Sequence, residues 1–135
     1  MATADGGEGL LLDTHAFLWL ASGDERIGPA LLERVEDPSR TLWLSVASIW
    51  ELAIKKSLGK LSLRLPLAQL LASQCSAMVI TVLEVRPEHA LAVEELDFHH
   101  RDPFDRLLAA QALFEGLTLV SCDEVFDHYA VPRVW

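Results

Sequence analysis

Short apolar runs alternate along the chain with segments in which apolar residues recur every three or four positions. The runs predict buried strands, and the spaced segments predict amphipathic helices. Helix boundaries are marked by Pro29 and Pro103 at first-turn positions and by Gly59 and Gly116 after the last apolar residue. The predicted strands are Leu10–Leu12, Thr41–Leu44, Met78–Leu83, Thr118–Ser121 and Val131–Trp135. The predicted helices are Thr14–Ala21, Pro29–Glu36, Ser45–Leu58 (with Ser45 or Ser48 as the capping residue), Pro66–Ser76, Pro87–Leu96, Pro103–Glu115 and Asp123–His128.

This alternation of strands and helices predicts an α/β fold with a small parallel sheet and helices on both of its faces. No repeat, low-complexity tract or linker divides the chain, so we expect one domain over residues 10–135. Residues 1–9, which are rich in glycine and polar side chains, are predicted to be a disordered lead-in.

The composition narrows the range of functions. With 135 residues, of which 51% are hydrophobic, the chain is long enough to bury a core and too apolar to stay unfolded. The net charge of −9, from 20 acidic and 11 basic residues, argues against a protein that holds nucleic acid mainly by neutralising phosphates. It leaves room for an enzyme that reaches phosphates through a bound divalent cation. No apolar run approaches the length of a membrane span and the two cysteines lack CxxC spacing, so we expect a cytoplasmic protein without a disulfide framework.

Two aspartates follow predicted strands. Asp13 comes directly after Leu10–Leu12, and Asp123 lies two residues beyond Thr118–Ser121. Ligands of open parallel sheets bind beyond the carboxyl ends of the strands, so both carboxylates are candidate site residues. Aspartate is also a favoured residue at a helix N-terminus, so a purely structural capping role is the alternative for each.

Glu51 lies within the predicted helix Ser45–Leu58. At about 100° per residue, the apolar residues of this helix form one broad face, and Glu51 falls on the rim of that face. A rim position lets a side chain reach a cleft beside the core. The alternative is an exposed glutamate that pairs with Lys55 one turn later.

The segment from His99 to Arg106 is dense in charged and polar residues. Asp102, followed by proline, is predicted to cap the next helix, and Asp105 lies in the first turn of that helix, where its charge suits the helix dipole. Asp105 also lies near the face that carries the apolar residues, so it is a candidate for a cleft at the helix start. The pair His99 and His100 is interpreted as a solvated loop pair, with an RNA or phosphate contact as the alternative.

Together, these observations predict a metal site built from four acidic residues. Carboxylates about 4 Å apart repel by roughly 4 kcal/mol per pair at an effective dielectric near 20, and no basic residue of the pattern is placed to offset this repulsion. A divalent cation offsets it, and magnesium prefers oxygen ligands and meets its substrates through phosphate oxygens. Such a site can activate water for attack on a phosphodiester without a serine, cysteine or histidine nucleophile. The four residues are Asp13, Glu51, Asp105 and Asp123.

At these residues the sequence resembles the PIN-domain family, and within it the VapC-like toxins of bacterial toxin–antitoxin pairs. The resemblance spans about Leu10 to Trp135 and implies a three-layer α/β/α fold and an endoribonuclease that depends on Mg²⁺, with Mn²⁺ as a substitute. Transfer RNA is the substrate class that the resemblance favours. The matching segments are Leu10–His15, Ser48–Lys55, Gly59–Leu61, His100–Ala112 and Leu117–Asp123.

The resemblance also assigns roles to residues and partners. It implies that Asp13, Glu51, Asp105 and Asp123 bind the metal and carry the catalysis. It places Thr14 and Ser121 where the family often has a hydroxyl group near the site, and Asp102 is common in this subgroup. It further implies a homodimer that a cognate antitoxin inhibits. The basic C-terminal tail of the antitoxin would fill the acidic cleft, where an arginine pairs well with carboxylates.

Two other functions stay open at this point. One is a PIN nuclease directed at DNA or at a particular nucleic-acid structure. The other is a non-catalytic PIN-fold module that binds a protein partner and uses its carboxylates only for capping and for pairing with arginine.

Overall fold

The computed structural model describes residues 7–135. The chain forms five strands, and six α-helices and two short 3₁₀ helices connect them within this range. The strands are β1 (Gly9–Leu12), β2 (Thr41–Ser45), β3 (Ile80–Leu83), β4 (Thr118–Val120) and β5 (Arg133–Val134). The α-helices are α1 (Thr14–Ser22), α2 (Pro29–Glu36), α3 (Val46–Ser57), α4 (Leu67–Met78), α5 (Pro87–Ala92) and α6 (Pro103–Glu115). The 3₁₀ helices are Val93–Glu95 and Glu124–Tyr129.

All five strands are parallel and lie in the order β3-β2-β1-β4-β5. Strand β1 is central, with Leu12 paired to Leu44 of β2 and to Val120 of β4. The chain first adds strands on one side of β1 and then on the other, so the strand order reverses between β1 and β4. The predicted α/β class, with a small parallel sheet flanked by helices, is confirmed.

Two apolar layers cover the sheet, because successive residues of a strand point to opposite faces. Leu10 and Leu12 contribute to one core together with residues of α1, α2 and α3, whereas Leu11 packs into the other core with residues of α6. All four residues of β1 are buried. Burying a leucine side chain fully stabilises the fold by about 1.5–3 kcal/mol, so this central strand is a fixed base for the residues that follow it.

Side chains and glycine set the ends of the helices that border the strands. Asp13 caps α1, Ser45 caps α3 and Asp102 caps α6, and each side chain accepts a hydrogen bond from a backbone N–H in the first turn. Gly116 ends α6 with φ of 68°, a left-handed conformation that glycine adopts without steric cost. These caps fix where each helix begins relative to the carboxyl edge of the sheet.

Helix α3 turns a different face to the core than its apolar spacing predicts. Ala47, Glu51 and Leu52 are buried, whereas Val46 and Trp50 of the predicted apolar face are exposed, Trp50 by 61%. The prediction that Glu51 lies on the rim is therefore wrong. The physical reason is that α3 packs against both α1 and α6, and the face with small residues and the hydrogen-bonded glutamate makes that contact.

Smaller differences concern the ends of elements. Met78 belongs to α4 rather than to β3, and the predicted helix Pro87–Leu96 is α5 followed by a 3₁₀ turn. Residues 1–6 of the predicted lead-in lie outside the described residues, and Gly9 is the first residue of β1. Within residues 7–135, no helix has both the length and the apolar character that crossing a membrane requires.

Candidate metal centre

Three neighbouring strands deliver acidic residues to one edge of the sheet. Asp13 directly follows β1, Asp123 lies three residues after β4, and Glu51 lies in the second turn of α3, which follows β2. These strands are adjacent in the order β2-β1-β4, and the strand order reverses between β1 and β4. Open α/β sheets bind ligands at this kind of position, outside the carboxyl ends of the strands.

Asp13 is almost fully buried, with 6% of its surface exposed. Its Oδ1 accepts a hydrogen bond of 2.7 Å from the backbone N–H of Ala16, and the Ser121 hydroxyl also binds the carboxylate. Burial raises the pKa of Asp13 above its ordinary value and the charge of Glu51 adds to this, whereas both hydrogen bonds oppose it. Asp13 therefore does cap α1, and this cap holds its carboxylate in place at the end of β1.

Glu51 is also buried, with 5% of its surface exposed. Its Oε1 accepts a hydrogen bond of 2.6 Å from Thr14 Oγ1, and its Oε2 lies 2.9 Å from Lys55 Nζ. The alternative expectation of an exposed glutamate is wrong, although the pairing with Lys55 exists. The hydroxyl of Thr14 and the ammonium of Lys55 thus hold one oxygen of the carboxylate each.

The start of α6 brings Asp102 and Asp105 to the same edge. Asp102 caps the helix, and its Oδ1 accepts hydrogen bonds from the backbone N–H groups of Phe104 at 2.8 Å and Asp105 at 3.4 Å. The pKa of Asp105 is raised to about 7, mainly by burial and then by the charge of Asp102, while His100 lowers it. The charges of Asp13 and Glu51 raise the pKa of Asp105 further, so both carboxylates act on it electrostatically.

His100 connects the two outer carboxylates, a role that the sequence interpretation missed. Its Nε2 lies 3.1 Å from Asp105 Oδ2 and 2.8 Å from Asp123 Oδ2. Its Nδ1 accepts a hydrogen bond from the backbone N–H of Asp102, which assigns the proton of the neutral ring to Nε2. Nε2 therefore donates to both carboxylates. The interpretation as a solvated loop residue is wrong for His100, whose side chain is 17% exposed.

Only the contact that orients the His100 ring had a signal in the sequence, in the form of a short local spacing. A histidine two residues before a capping aspartate can accept the backbone N–H of that aspartate, as His100 does with Asp102. The contact to Asp123 joins residues 23 positions apart, so it depends on the fold and is not visible in the sequence.

Asp123 completes the edge. Its Oδ1 accepts the backbone N–H of Val125 at 3.0 Å, and its own N–H donates to Ser121 Oγ at 3.0 Å. Ser121 is fully buried and also contacts Asp13, so it links the residues that follow β1 and β4. The hydroxyl position that the resemblance implied is thus in contact with two of the four acidic residues.

The chemistry of this set fits a divalent cation. The groups are carboxylates, the oxygen ligands that Mg²⁺ prefers, and burial and mutual repulsion raise the pKa of Asp13 and Asp105. His100, Asp105 and Asp123 each offer a ligand atom, and these atoms lie within 4.8 Å of one another. The expectation that no basic residue offsets the charges is wrong, because Lys55 pairs with Glu51 and His100 bridges the other two acids.

The fold and the site together define an open, doubly wound α/β protein with an acidic centre at the point where the strand order reverses. A model of the PIN domain family matches residues 10–132. The chain therefore belongs to the PIN domain family. No curated protein sequence matches it significantly.

Solved structures of toxin–antitoxin proteins share this fold at low sequence identity. VapBC2 from Rickettsia felis, bound to a DNA fragment from its promoter, is similar with a TM-score of 0.71 and 16% identity, covering 93% of this chain and 97% of that chain. VapBC-1 from nontypeable Haemophilus influenzae has a TM-score of 0.67 and 19% identity, covering 93% and 96%. FitAcB from Neisseria gonorrhoeae has a TM-score of 0.60 and 19% identity, with the same coverage. The predicted PIN-like fold is confirmed.

Proposed function

We propose that this protein is a metal-dependent endoribonuclease that acts as the toxin of a toxin–antitoxin pair, with transfer RNA as a candidate substrate. The observation that carries the proposal is that four carboxylates lie at the carboxyl edge of the sheet, where Asp105 is influenced by the charges of Asp13 and Glu51 and shares the His100 imidazole with Asp123. They are delivered by four separate segments of the chain, and two of them are buried. Lys55 and His100 offset part of this negative charge, and a bound divalent cation would offset the rest of the cost of burying it.

In this proposal Asp13, Glu51, Asp105 and Asp123 hold the cation, which is Mg²⁺ with Mn²⁺ as a substitute. When bound, such a cation activates water and stabilises negative charge on a phosphate in transfer. The neighbouring groups orient the ligands: Thr14 holds Glu51, and Ser121 contacts both Asp13 and Asp123. Asp102 acts on Asp105 through the start of α6, which it caps, so we assign it a positioning role.

We further propose that a cognate antitoxin inhibits the enzyme. The solved structures with the same fold are VapBC and FitAcB assemblies, which supports a protein partner of this kind. The acidic edge suits a basic C-terminal tail, because an arginine of the tail can form paired hydrogen bonds with a carboxylate. With a net charge of −9, the chain also attracts a basic partner over longer distances.

The exposed apolar face of α3 supports a homodimer as a third part of the proposal. Val46 and Trp50 are 39% and 61% exposed, although their spacing is that of a core-facing stripe. Trp50 also makes an edge-on contact with Phe104, with ring centroids 5.3 Å apart, so the face continues onto α6. Apolar residues in a contiguous exposed group mark a protein interface more often than isolated ones do.

A non-catalytic binding module is a second candidate, and the capping roles favour it. Asp13, Asp102 and Asp123 each cap a helix, so their presence has a structural explanation. That explanation does not cover Glu51, which is buried within α3, or Asp105, whose pKa is raised rather than lowered. These two residues make the enzyme the better candidate.

The test is cleavage of total bacterial RNA by antitoxin-free protein, with Mg²⁺ or Mn²⁺ and then with excess chelator. Sequencing of the new 5′ ends would locate narrow cleavage sites that a single test RNA misses. We expect cuts at a few defined positions that disappear with the chelator. Cleavage of DNA in place of RNA would favour a DNA-directed PIN nuclease, and no cleavage by folded, metal-loaded protein would favour the binding module.

A further inference from the structure

Most basic side chains of this acidic protein are already bound to other groups. Of its eleven lysines and arginines, eight contact an acidic side chain or a backbone carbonyl within residues 7–135. In that range, Lys60, Arg64 and Arg101 make no hydrogen bond or ion pair through their side chains, and all three are exposed. An unpaired cation on a chain of net charge −9 is available for an anionic ligand.

Two of these three basic side chains line one groove beside the acidic centre. The groove has a volume of about 490 Å³ and lies between the C-terminal half of α3 and the start of α6. Lys60 and Arg101 line it together with Glu51 and Asp102, so it is continuous with the acidic edge. Arg64 lies on a different cavity, which Leu18, Ser22 and Leu70 also line.

The walls of the groove combine these charges with apolar surface. Ile54 of α3, Leu58 at the end of that helix and Phe104 of α6 form the apolar part, and Leu58 is 62% exposed. A nucleic-acid strand matches such a surface, because its phosphates need cations while its sugar and base faces pack on aromatic and aliphatic groups. An acidic peptide would also supply negative charge, but the groove opens onto the proposed metal centre, and a bound Mg²⁺ meets its substrates through phosphate oxygens.

We propose that Lys60 and Arg101 bind phosphates of the RNA strand that flank the phosphate at the acidic centre. Arginine offers a planar pair of donors that fits a phosphate, and lysine offers a mobile point charge. The net charge of −9 repels a polyanion overall. These two side chains would therefore fix the path that the RNA strand takes on either side of the phosphate at the acidic centre. This inference rests on the proposed ribonuclease function and names the surface that holds its substrate.

The salt dependence of RNA binding tests the inference directly. The double variant Lys60→Ala/Arg101→Ala is compared with Arg64→Ala, and each is combined with Asp105→Asn so that the RNA stays intact. The probe is a single-stranded RNA oligonucleotide of mixed sequence, titrated over a range of KCl at a fixed low Mg²⁺ concentration. The slope of log K against log salt is negative, and each lost phosphate contact lowers its magnitude by about 0.7 for a single strand. We expect a slope that is about 1.4 less negative in the double variant and an unchanged slope for Arg64→Ala.

A second readout separates binding from chemistry. With Asp105 intact, the Lys60/Arg101 double variant should raise KM for a cleaved RNA while kcat changes little, and Lys60→Arg with Arg101→Lys should restore most of the affinity. Thermal unfolding of the variants controls for folding, and we expect no change because all three side chains are exposed.

Four results would overturn the inference, and they are distinguishable. Equal slopes for the double variant and Arg64→Ala would show a general charge effect. An unchanged KM in an enzyme that does cleave RNA would leave the ribonuclease proposal standing and remove only the groove from it. Weaker self-association or antitoxin binding with unchanged RNA binding would assign the groove to a protein partner. If the unsubstituted protein neither binds nor cleaves RNA, the proposed function fails, and this inference fails with it.

Discussion

The acidic centre has two halves whose carboxylates are held in different ways. The inner pair, Asp13 and Glu51, is buried and bound by groups that belong to the regular elements, such as the backbone of α1 and the hydroxyl of Thr14. The outer pair, Asp105 and Asp123, is only partly buried, and one imidazole, that of His100, bridges its oxygens.

This difference indicates that the inner and outer pairs have different roles in the proposed metal binding. The donors of the inner pair are fixed by the fold, so its carboxylates keep their geometry whatever else binds. The bridge across the outer pair is a single loop side chain that donates to the oxygens that a cation would use, Oδ2 of Asp105 and Oδ2 of Asp123. We therefore expect the inner pair to supply a rigid base and the outer pair to rearrange when a metal ion binds.

The largest effect is expected from the inner pair. Asn caps a helix as well as Asp does, so Asp13→Asn should keep the fold but lose a metal ligand. Removing a hydrogen-bond partner of a metal ligand typically lowers affinity or activity 10- to 100-fold. Asp13 would bind the metal ion directly, so we expect its loss to lower the cleavage rate by more than about 100-fold. The measurement is the single-turnover rate on one mapped RNA site.

Asp13→Ala serves as the matched comparison for that variant. It should lose the same activity and also about 1 kcal/mol of stability, because alanine cannot cap α1. Urea unfolding of the two variants separates the roles. Full cleavage activity in Asp13→Asn would show that Asp13 is a cap only.

The outer pair should make stability depend on pH. The pKa of Asp105 is about 7 in the folded protein against an ordinary value of 3.8, so between these values the folded state retains a proton that the unfolded chain releases. Stability is therefore lost as the pH rises from about 4 to about 7 and is constant above that range. In the uncharged variant Asp105→Asn this loss disappears, and the gain relative to the unsubstituted protein at pH 8 is at most about 4 kcal/mol.

Urea unfolding at pH 4.5 and pH 8, without divalent cations, measures this effect. Asp97→Asn is the control, because the Asp97 side chain is 90% exposed and its neutralisation should leave the pH dependence unchanged. An Asp105→Asn variant that gains the same stability at both pH values would contradict the assignment.

Removal of His100 should tighten metal binding. In the structure the Nε2–H group of His100 occupies the same carboxylate oxygens that a cation needs, so a metal ion must displace it. A hydrogen bond to a charged group contributes about 1.5–3 kcal/mol, and 1.4 kcal/mol is a factor of ten. For this partly exposed bridge we expect Mn²⁺ affinity to rise roughly 3- to 10-fold in His100→Ala. Calorimetric titration with Mn²⁺ measures it, and weaker binding would make His100 a metal ligand instead.

The smallest effect is expected at Thr14. Thr14→Val keeps the shape of the side chain but removes the 2.6 Å hydrogen bond to Glu51, whereas Thr14→Ser keeps the hydroxyl. We expect about a 10-fold lower cleavage rate in the valine variant, because removing a hydrogen-bond partner of a metal ligand has an effect of this size. We expect little change in the serine variant. If the two variants are equally active, the hydroxyl has no positioning role.

The sequence predicted the bounds of helices and strands well where local rules and tertiary packing agree. Helix α6 begins at Pro103 and ends at Glu115 as predicted, because Asp102, Pro103 and Gly116 each act through local backbone geometry. The positions of Asp13 and Asp123 followed from the rule that strand ends gather at one edge of a parallel sheet.

Helix α3 shows where such reasoning ends. Its apolar spacing pointed to a face that carries Trp50, but packing against α1 and α6 turned the face with Glu51 inward. Nothing in the local sequence records that Thr14, 37 residues away, supplies a partner for the glutamate. The His100 bridge was missed for the same reason, since one of its two partners, Asp123, is brought to it by a distant strand.

The most direct test of the central claim is Mn²⁺ titration of three proteins: the unsubstituted chain, Asp13→Asn from the inner pair and Asp105→Asn from the outer pair. If the two pairs hold one metal ion, both substitutions should weaken the same binding event, and the Asp97→Asn control should leave it unchanged. Binding that survives both substitutions, or an unsubstituted protein that binds no Mn²⁺, would contradict the claim that these carboxylates form a metal centre.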